Sequence, residues 1–274
     1  MVKSLLLILL FSLLSYAQDA KIESKIKALI DSDIYAKNRS FIAIIFKNSS
    51  SFYNNGAVDA VKVANTLKEN GLLKIFYDAP HELNVKFNTN SSSLFFVKLM
   101  GDTLRSIGYY RFITSSSKLS NSKFEWSIKL KSEYAIDPTL LAKELAKRGA
   151  KIEDIVRIND YNWIYNINIG RANLNAKDIK SGEKLYLNRA LNSSWLNISG
   201  VKNLSIVSKV GNRWYPNVAI YDGALRLLKV YKHDTKTEKL NMKFPRDAVY
   251  VKISDMYSMK NIKNGLMILG KGKR

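Results

Sequence analysis

Few side chains in this sequence are able to serve as nucleophile, base, acid or metal ligand. There are two histidines, and the stretches around both read as turns: His81 lies in "YDAPHEL", and His233 is followed by Asp234. A catalytic histidine needs a nucleophile on one side and an orienting partner on the other, and neither stretch supplies both. "HELNV" has one histidine where a zinc-protease helix needs two, and it reads as strand. Ser115 with Lys118 and Ser120 with Lys123 have the spacing of an acylating serine and its lysine, but they fall in a hairpin loop rather than at a helix start. In a chain so rich in both residues that spacing arises by chance. Glu153 and Asp154 are adjacent on a strand, so their carboxylates face opposite ways. There is no cysteine, hence no thiol nucleophile and no thiolate metal ligand, and there is no Gly-rich phosphate loop. The expectation is a chain that is not an enzyme and that uses no cofactor and no metal.

Aromatic residues carry the stronger signal. "GNRWYPN" puts Arg213, Trp214 and Tyr215 together in a turn between strands, where large rings have less reason to be core. A cation beside aromatic rings suits a sugar face or an anionic partner, so these three residues are the candidate binding site. The competing reading is that Trp214 or Tyr215 plugs one end of a core. Trp126 and Trp163 alternate with polar residues and read as core.

The stretch "LLAKELAKRGAKIEDIVRIND", followed further on by "IKSGEKLYL", resembles the two ends of a LysM glycan-binding module. A LysM module closes its sheet a few residues after the "IN" corner, whereas here "WIYNINI" intervenes. The stretch is therefore read as part of a repeat, with "IKSGEKLYL" as the last strand or linker of the repeat region.

The elements that must hold these residues follow a common plan. A Leu stands four residues before a Gly at Leu67 and Gly71, Leu104 and Gly108, and Leu145 and Gly149, the glycines lying 37 and 41 residues apart. Apolar residues at helical spacing precede each Gly (Ala60, Val63, Ala64, Leu67; Val97, Met100, Leu104, Ile107), and the Gly reads as the helix stop. Asp137 and Pro138 open the third helix. After each Gly comes alternating strand pattern, with turns expected at "DAPH" and "NDYN". "FIAIIF", Phe41 to Phe46, reads as a buried strand ahead of the first helix. The expected fold class is α+β: three αββ repeats over residues 18–188, then an antiparallel β-sandwich over 189–274. In the second part "VAIYDGALRLLKVY" reads as a hairpin with a type I′ Asp-Gly corner, and further short strands alternate through Leu240, Met242 and Phe244 and through Val249, Val251 and Ile253.

Three resemblances go with these patterns. The αββ units resemble, in architecture only, the small modules that exported scaffold proteins stack to hold envelope machines together. The "IYD" strand, its hairpin, "YVKISD" and the closing "GLMIL" are similar to carbohydrate-binding and prepeptidase-type sandwiches. Through "ENGLLKIFYDAPHELNVKF", "LFFVKLMGDTLRSIGYYRF" and "SEYAIDPTLLAKELAKRG" the whole chain resembles uncharacterised periplasmic proteins of Campylobacter and its relatives. That resemblance implies location and ancestry and attaches no catalytic residue.

Export is also written at the N-terminus. Lys3, the apolar run from Leu5 to Leu14 and the small residues Ser15 and Ala17 make residues 1–17 a secretory signal peptide cut after Ala17. The run is short of the ~20 residues a spanning helix needs, and no later segment is long and apolar enough, so no transmembrane segment is expected after signal removal. The formal charge is +21, and losing Lys3 lowers it by one. An exported basic protein meets anionic envelope polymers rather than nucleic acid. The sequence thus points to a non-catalytic periplasmic binding or scaffold protein whose partners are envelope proteins or anionic cell-wall glycan; the alternative is a cell-envelope hydrolase with an unrecognised active site.

Overall fold

The computed structural model describes residues 19–188 and 192–274, and the expected signal peptide lies outside them. The fold is mixed α+β and mostly β. Its chain divides into two compact units, residues 1–172 and 173–274.

The described part of the first unit begins with a helix over 19–27 (α1), then α2 (Ser32–Lys37) and α3 (Arg39–Ile45). The expected strand at Phe41 to Phe46 is therefore a helix. Ile42 and the capping residue Phe46 are buried while Ile44 between them is exposed, whereas a strand would put all three on one face. A short continuous apolar run does not reveal its own period, which is why composition misled here. A 3-10 turn (Ser49–Phe52) and a small pair, β1 (Tyr53–Asn54) with β2 (Ala57–Val58), lead into α4 (Ala60–Glu69).

The main sheet then alternates with helices: β3 (Phe76–Thr89), α5 (Ser93–Ser106), β4 (Ile113–Ser120), β5 (Lys123–Tyr134), α6 (Pro138–Ala146), β6 (Lys151–Asn159) and β7 (Asn162–Asn168). Its order is β4-β5-β3-β7-β6, with β3 antiparallel to β5 and parallel to β7. Leu83, Val85 and Phe87 of β3, Phe124, Trp126 and Ile128 of β5, and Trp163 and Tyr165 of β7 are buried, together with Val63 and Leu67 of α4, Leu99 and Leu104 of α5 and Leu141 and Leu145 of α6. The other face of the sheet is polar and laced by cross-strand pairs such as Lys129 with Glu82 at 2.8 Å.

The three Leu-to-Gly spacings have one physical cause. Gly71, Gly108 and Gly149 have φ of +73°, +102° and +75°. At each, the N–H of the residue after Gly donates back to the carbonyl of the Leu four residues before it: Leu72 to Leu67 (2.8 Å), Tyr109 to Leu104 (2.9 Å) and Ala150 to Leu145 (3.1 Å). This closes each helix with the same left-handed stop. Asp137 caps α6 as expected, accepting from the Thr139 and Leu140 N–H groups. The expected turn at "DAPH" is corrected: β3 runs through it, and the pairing with β5 jumps from Phe76 opposite Tyr134 to His81 opposite Ser132. Pro80 sits in that bulge, where a missing N–H costs no ladder bond. The first helix is thus followed by one long strand instead of two. The turn at "NDYN" and a primed turn at Asn121 and Ser122 (φ +45° and +64°) are both present.

The second unit contains β8 (Lys177–Asp178), β9 (Lys184–Leu187), β10 (Ser194–Asn197), β11 (Val201–Ser208), β12 (Pro216–Tyr221), β13 (Leu227–Lys232), β14 (Lys239–Lys243), β15 (Tyr250–Asp255) and β16 (Leu266–Lys273). They form two sheets, β13-β12-β15-β10-β8 and β14-β11-β16-β9. Leu196, Val218, Ile220, Val251 and Ile253 from the first and Leu204, Ile206, Leu240, Met242 and Ile268 from the second belong to one apolar core. "IKSGEKLYL" belongs here and not to the first unit: β9 pairs with β16, and Ile179 and Leu187 join this core. The boundary thus lies at 172/173 rather than at 188/189. The hairpin joining β12 and β13 is present, but its corner is not type I′. Leu225, not Gly223, carries the positive φ (+61°), and the buried Asp222 carboxylate ties the five-residue loop by accepting from the N–H groups of Ala224 and Arg226 and from Arg226 Nε. Among the described residues no helix is long and apolar enough to cross a membrane.

Candidate functional site

The Arg213-Trp214-Tyr215 run does not form a common surface. Trp214 is 0% exposed and its Nε1–H donates to the Ser254 carbonyl at 3.1 Å, so its ring fills the core of the second unit and presents no face. Arg213 is exposed; Tyr215 is half-buried, edge-on to Tyr257. Pro216 opens β12 right after Tyr215, so strand alternation already governs Trp214 and turns it inward with Pro216 and Val218.

The other reactive residues are held apart. His81 stacks on Tyr161 with ring centroids 4.6 Å apart, on β3 rather than in a turn. The His233 ring nitrogen Nδ1 lies 3.4 Å from Thr237 Oγ1. Ser115 and Lys118 lie on β4, while Ser120 and Lys123 flank the turn to β5. Asp154 pairs with Lys25, and Glu153 accepts from Asn168 at 2.7 Å. Among the described residues, no group of three or more His, Cys, Asp or Glu side chains is placed to hold a metal ion.

The structure instead brings together a different set. Where Gly108 stops α5, the chain turns into Tyr109, Tyr110 and Arg111, and these residues face the end of β5 and the start of α6 across a cavity of about 680 Å³. Tyr109, Tyr110 and Tyr134 supply its aromatic walls, Leu130 and Leu140 its aliphatic ones, and Arg111 and Lys131 its positive charge. Volume and lining fall in the range of small-ligand sites. Tyr109 is fixed: its hydroxyl donates to the Ala135 carbonyl at 3.0 Å, and burial, with Asp137 nearby, pushes its pKa up to about 12. Tyr110 and Tyr134 are open, at 74% and 51% exposure, and Phe76 packs against Tyr134 with centroids 5.0 Å apart. Asp137, the acid in the wall, is already committed to the α6 cap and to Lys68 at 2.8 Å. Ser132 Oγ accepts from the Tyr134 N–H.

The side chains of Arg111 and Lys131 have no such commitments; among the described residues neither forms an ion pair or a hydrogen bond. Together with Leu130 they also line an adjoining cavity of about 780 Å³ that reaches His81 and Lys129. The site is therefore an aromatic cleft with two free cations at the ridge between two hollows, and it has the means to hold a ring and an anion but no nucleophile poised beside a base. Sequence reasoning passed over it. The available signal was "GYYRF", two rings and a cation immediately after a helix stop, where they are not claimed by the periodicity of either neighbouring element.

Compared with known proteins, the chain matches no protein-family model and no curated protein.

Proposed function

We propose that this chain is a non-catalytic periplasmic binding or scaffold protein, with a first unit descended from helix–strand repeats and a second unit that is a β-sandwich, and that the cleft of the first unit holds anionic cell-wall glycan. The observation carrying this reading is the pairing of exposed Tyr110 and Tyr134 with uncommitted Arg111 and Lys131 around one cavity. Tyrosine faces stack on sugar rings, and a guanidinium beside them takes a carboxylate in bidentate fashion. The high positive charge raises the local concentration of any anionic polymer.

The test is co-sedimentation of the exported chain with purified sacculi, alongside titration with soluble muropeptides. The Arg111→Ala/Lys131→Ala double variant is expected to bind at least about tenfold more weakly, since each charged hydrogen bond contributes roughly 1.5 to 3 kcal/mol. Tyr110→Ala is expected to weaken binding without moving the melting temperature. Undiminished binding by both variants would sink this reading.

A further inference from the structure

We infer that β4 accepts an extended acidic segment of a partner protein as an added strand of the main sheet. The inference stands whether or not the tyrosine cleft holds a glycan, because the edge and groove it rests on lie outside that cleft and Arg111 alone borders both.

The two edges of the sheet are treated differently. At the β6 edge the Arg157 backbone N–H donates to the Ala28 carbonyl at 3.2 Å, and Lys25 Nζ donates to the Ile155 carbonyl at 3.2 Å, so the segment around α1 engages the middle of that edge. At the β4 edge, among the described residues, nothing pairs with the outer side. All eight residues of β4 are exposed, Ile113 and Leu119 among them at 66% each. A long unpaired edge is a template for another strand.

The second observation is a groove beside that edge. Between α5 and the core-side face of β4 runs a hollow of about 510 Å³, with Ser117 and Trp126 on its floor and Leu94, Val97 and Gly101 on its helix wall. A strand laid against β4 gains main-chain hydrogen bonds from the edge and turns every second side chain toward this groove, which is the division of labour in strand-addition recognition.

Charge selects the occupant. Arg111, Lys118 and Lys123 follow the β4 edge and hold no carboxylate among the described residues, whereas Glu125 and Glu82 nearby are already paired with Lys86 and Lys129. A second copy of the chain fits poorly. The ladder is irregular between Thr114 and Ser116, and a two-fold pairing of the regular part, 116–120, sets Lys118 against its own counterpart. Like charges directly opposite on a sheet repel. An acidic segment with apolar residues at alternate positions meets both the free cations and the groove.

The experiment pans the full chain against heptapeptides that alternate Asp or Glu with Val, Ile, Leu or Phe, then maps the best binder by amide hydrogen exchange. The expected result is slowed exchange confined to 113–120 and affinity that falls with salt. Methylating alternate peptide nitrogens so as to block one edge of the peptide should weaken binding by about tenfold in one phase of methylation and little in the other. Ser117→Trp, which fills the groove from an exposed position, and Lys118→Glu/Lys123→Glu should each weaken binding by about tenfold with the melting temperature unchanged. Any one of four outcomes overturns the proposal: no binder recovered, a footprint outside 113–120, equal affinity for both methylation phases, or poly-glutamate binding as tightly as the selected peptide. A concentration-dependent dimer abolished by Ser117→Trp would assign the edge to a second copy and overturn it too.

Discussion

Trp214 shows what a residue type does and does not disclose. A tryptophan beside an arginine, ahead of a strand, fits a contact surface and a core plug equally well on paper, because the deciding quantity is the direction of one side chain relative to Val218 and Ser254. Burial and the Nε1–H bond to Ser254 settle it. Trp214→Ala is expected to lower stability by ~3 to 5 kcal/mol, whereas exposed Arg213→Ala should stay within about 0.5 kcal/mol, both measured by urea unfolding. The cleft residues were illegible for the opposite reason: Tyr110 and Arg111 have no periodic partner, and only the convergence of β5 and α6 gives them a role. Tyr109 offers a check on that convergence. Its pKa is raised by burial from 10 to about 12, so its contribution is fully present below about pH 10, where the unfolded phenol is also protonated, and is lost as pH rises toward 12. Tyr77, raised to about 12 with burial as the leading cause, adds in the same window. Phenolate absorbance should therefore show a late-titrating class, and thermal stability should decline between these two pH values; titration of every tyrosine near 10 would count against the buried placement of both.

The three helices that end at Gly71, Gly108 and Gly149 were legible because each announces its period and its stop, whereas α3, too short to show a period, was read as a strand. The buried residues of α4 are Ala60, Val63, Ala64 and Leu67, the four its periodicity singles out. Strand runs were legible where they alternate and not where they bend. "DAPH" has the composition of a turn, but the long β3 absorbs it as a bulge because Tyr77 is buried and its hydroxyl donates to the Asp160 carbonyl. No local pattern reports an anchor that lies so far along the chain. The three helix stops allow a comparison among like sites. Gly71→Ala and Gly108→Ala meet nothing within 4 Å and should cost only the positive φ, about 1 kcal/mol. At Gly149 an added Cβ would lie 2.5 Å from the Arg171 carbonyl oxygen, so Gly149→Ala should cost clearly more, as chemical unfolding of the three variants will show.

The division of the chain was read sixteen residues too late, and the cause is topological. β8 and β9 precede residue 189 in sequence, yet they pair with β10 and β16 of the second unit. Residues 173–274 are accordingly expected to melt cooperatively when expressed alone. A fragment starting at 189 lacks Ile179 and Leu187 from the core and should not; equal cooperativity of the two fragments would contradict the assignment of β9. The unequal edges of the main sheet carry a further consequence. With Ala28 and Lys25 held against β6 at Arg157 and Ile155, the sheet offers β4 as its long open edge. Two copies meeting by their own β4 strands would use up both open edges at once, so that contact joins a pair and does not extend into a fibre.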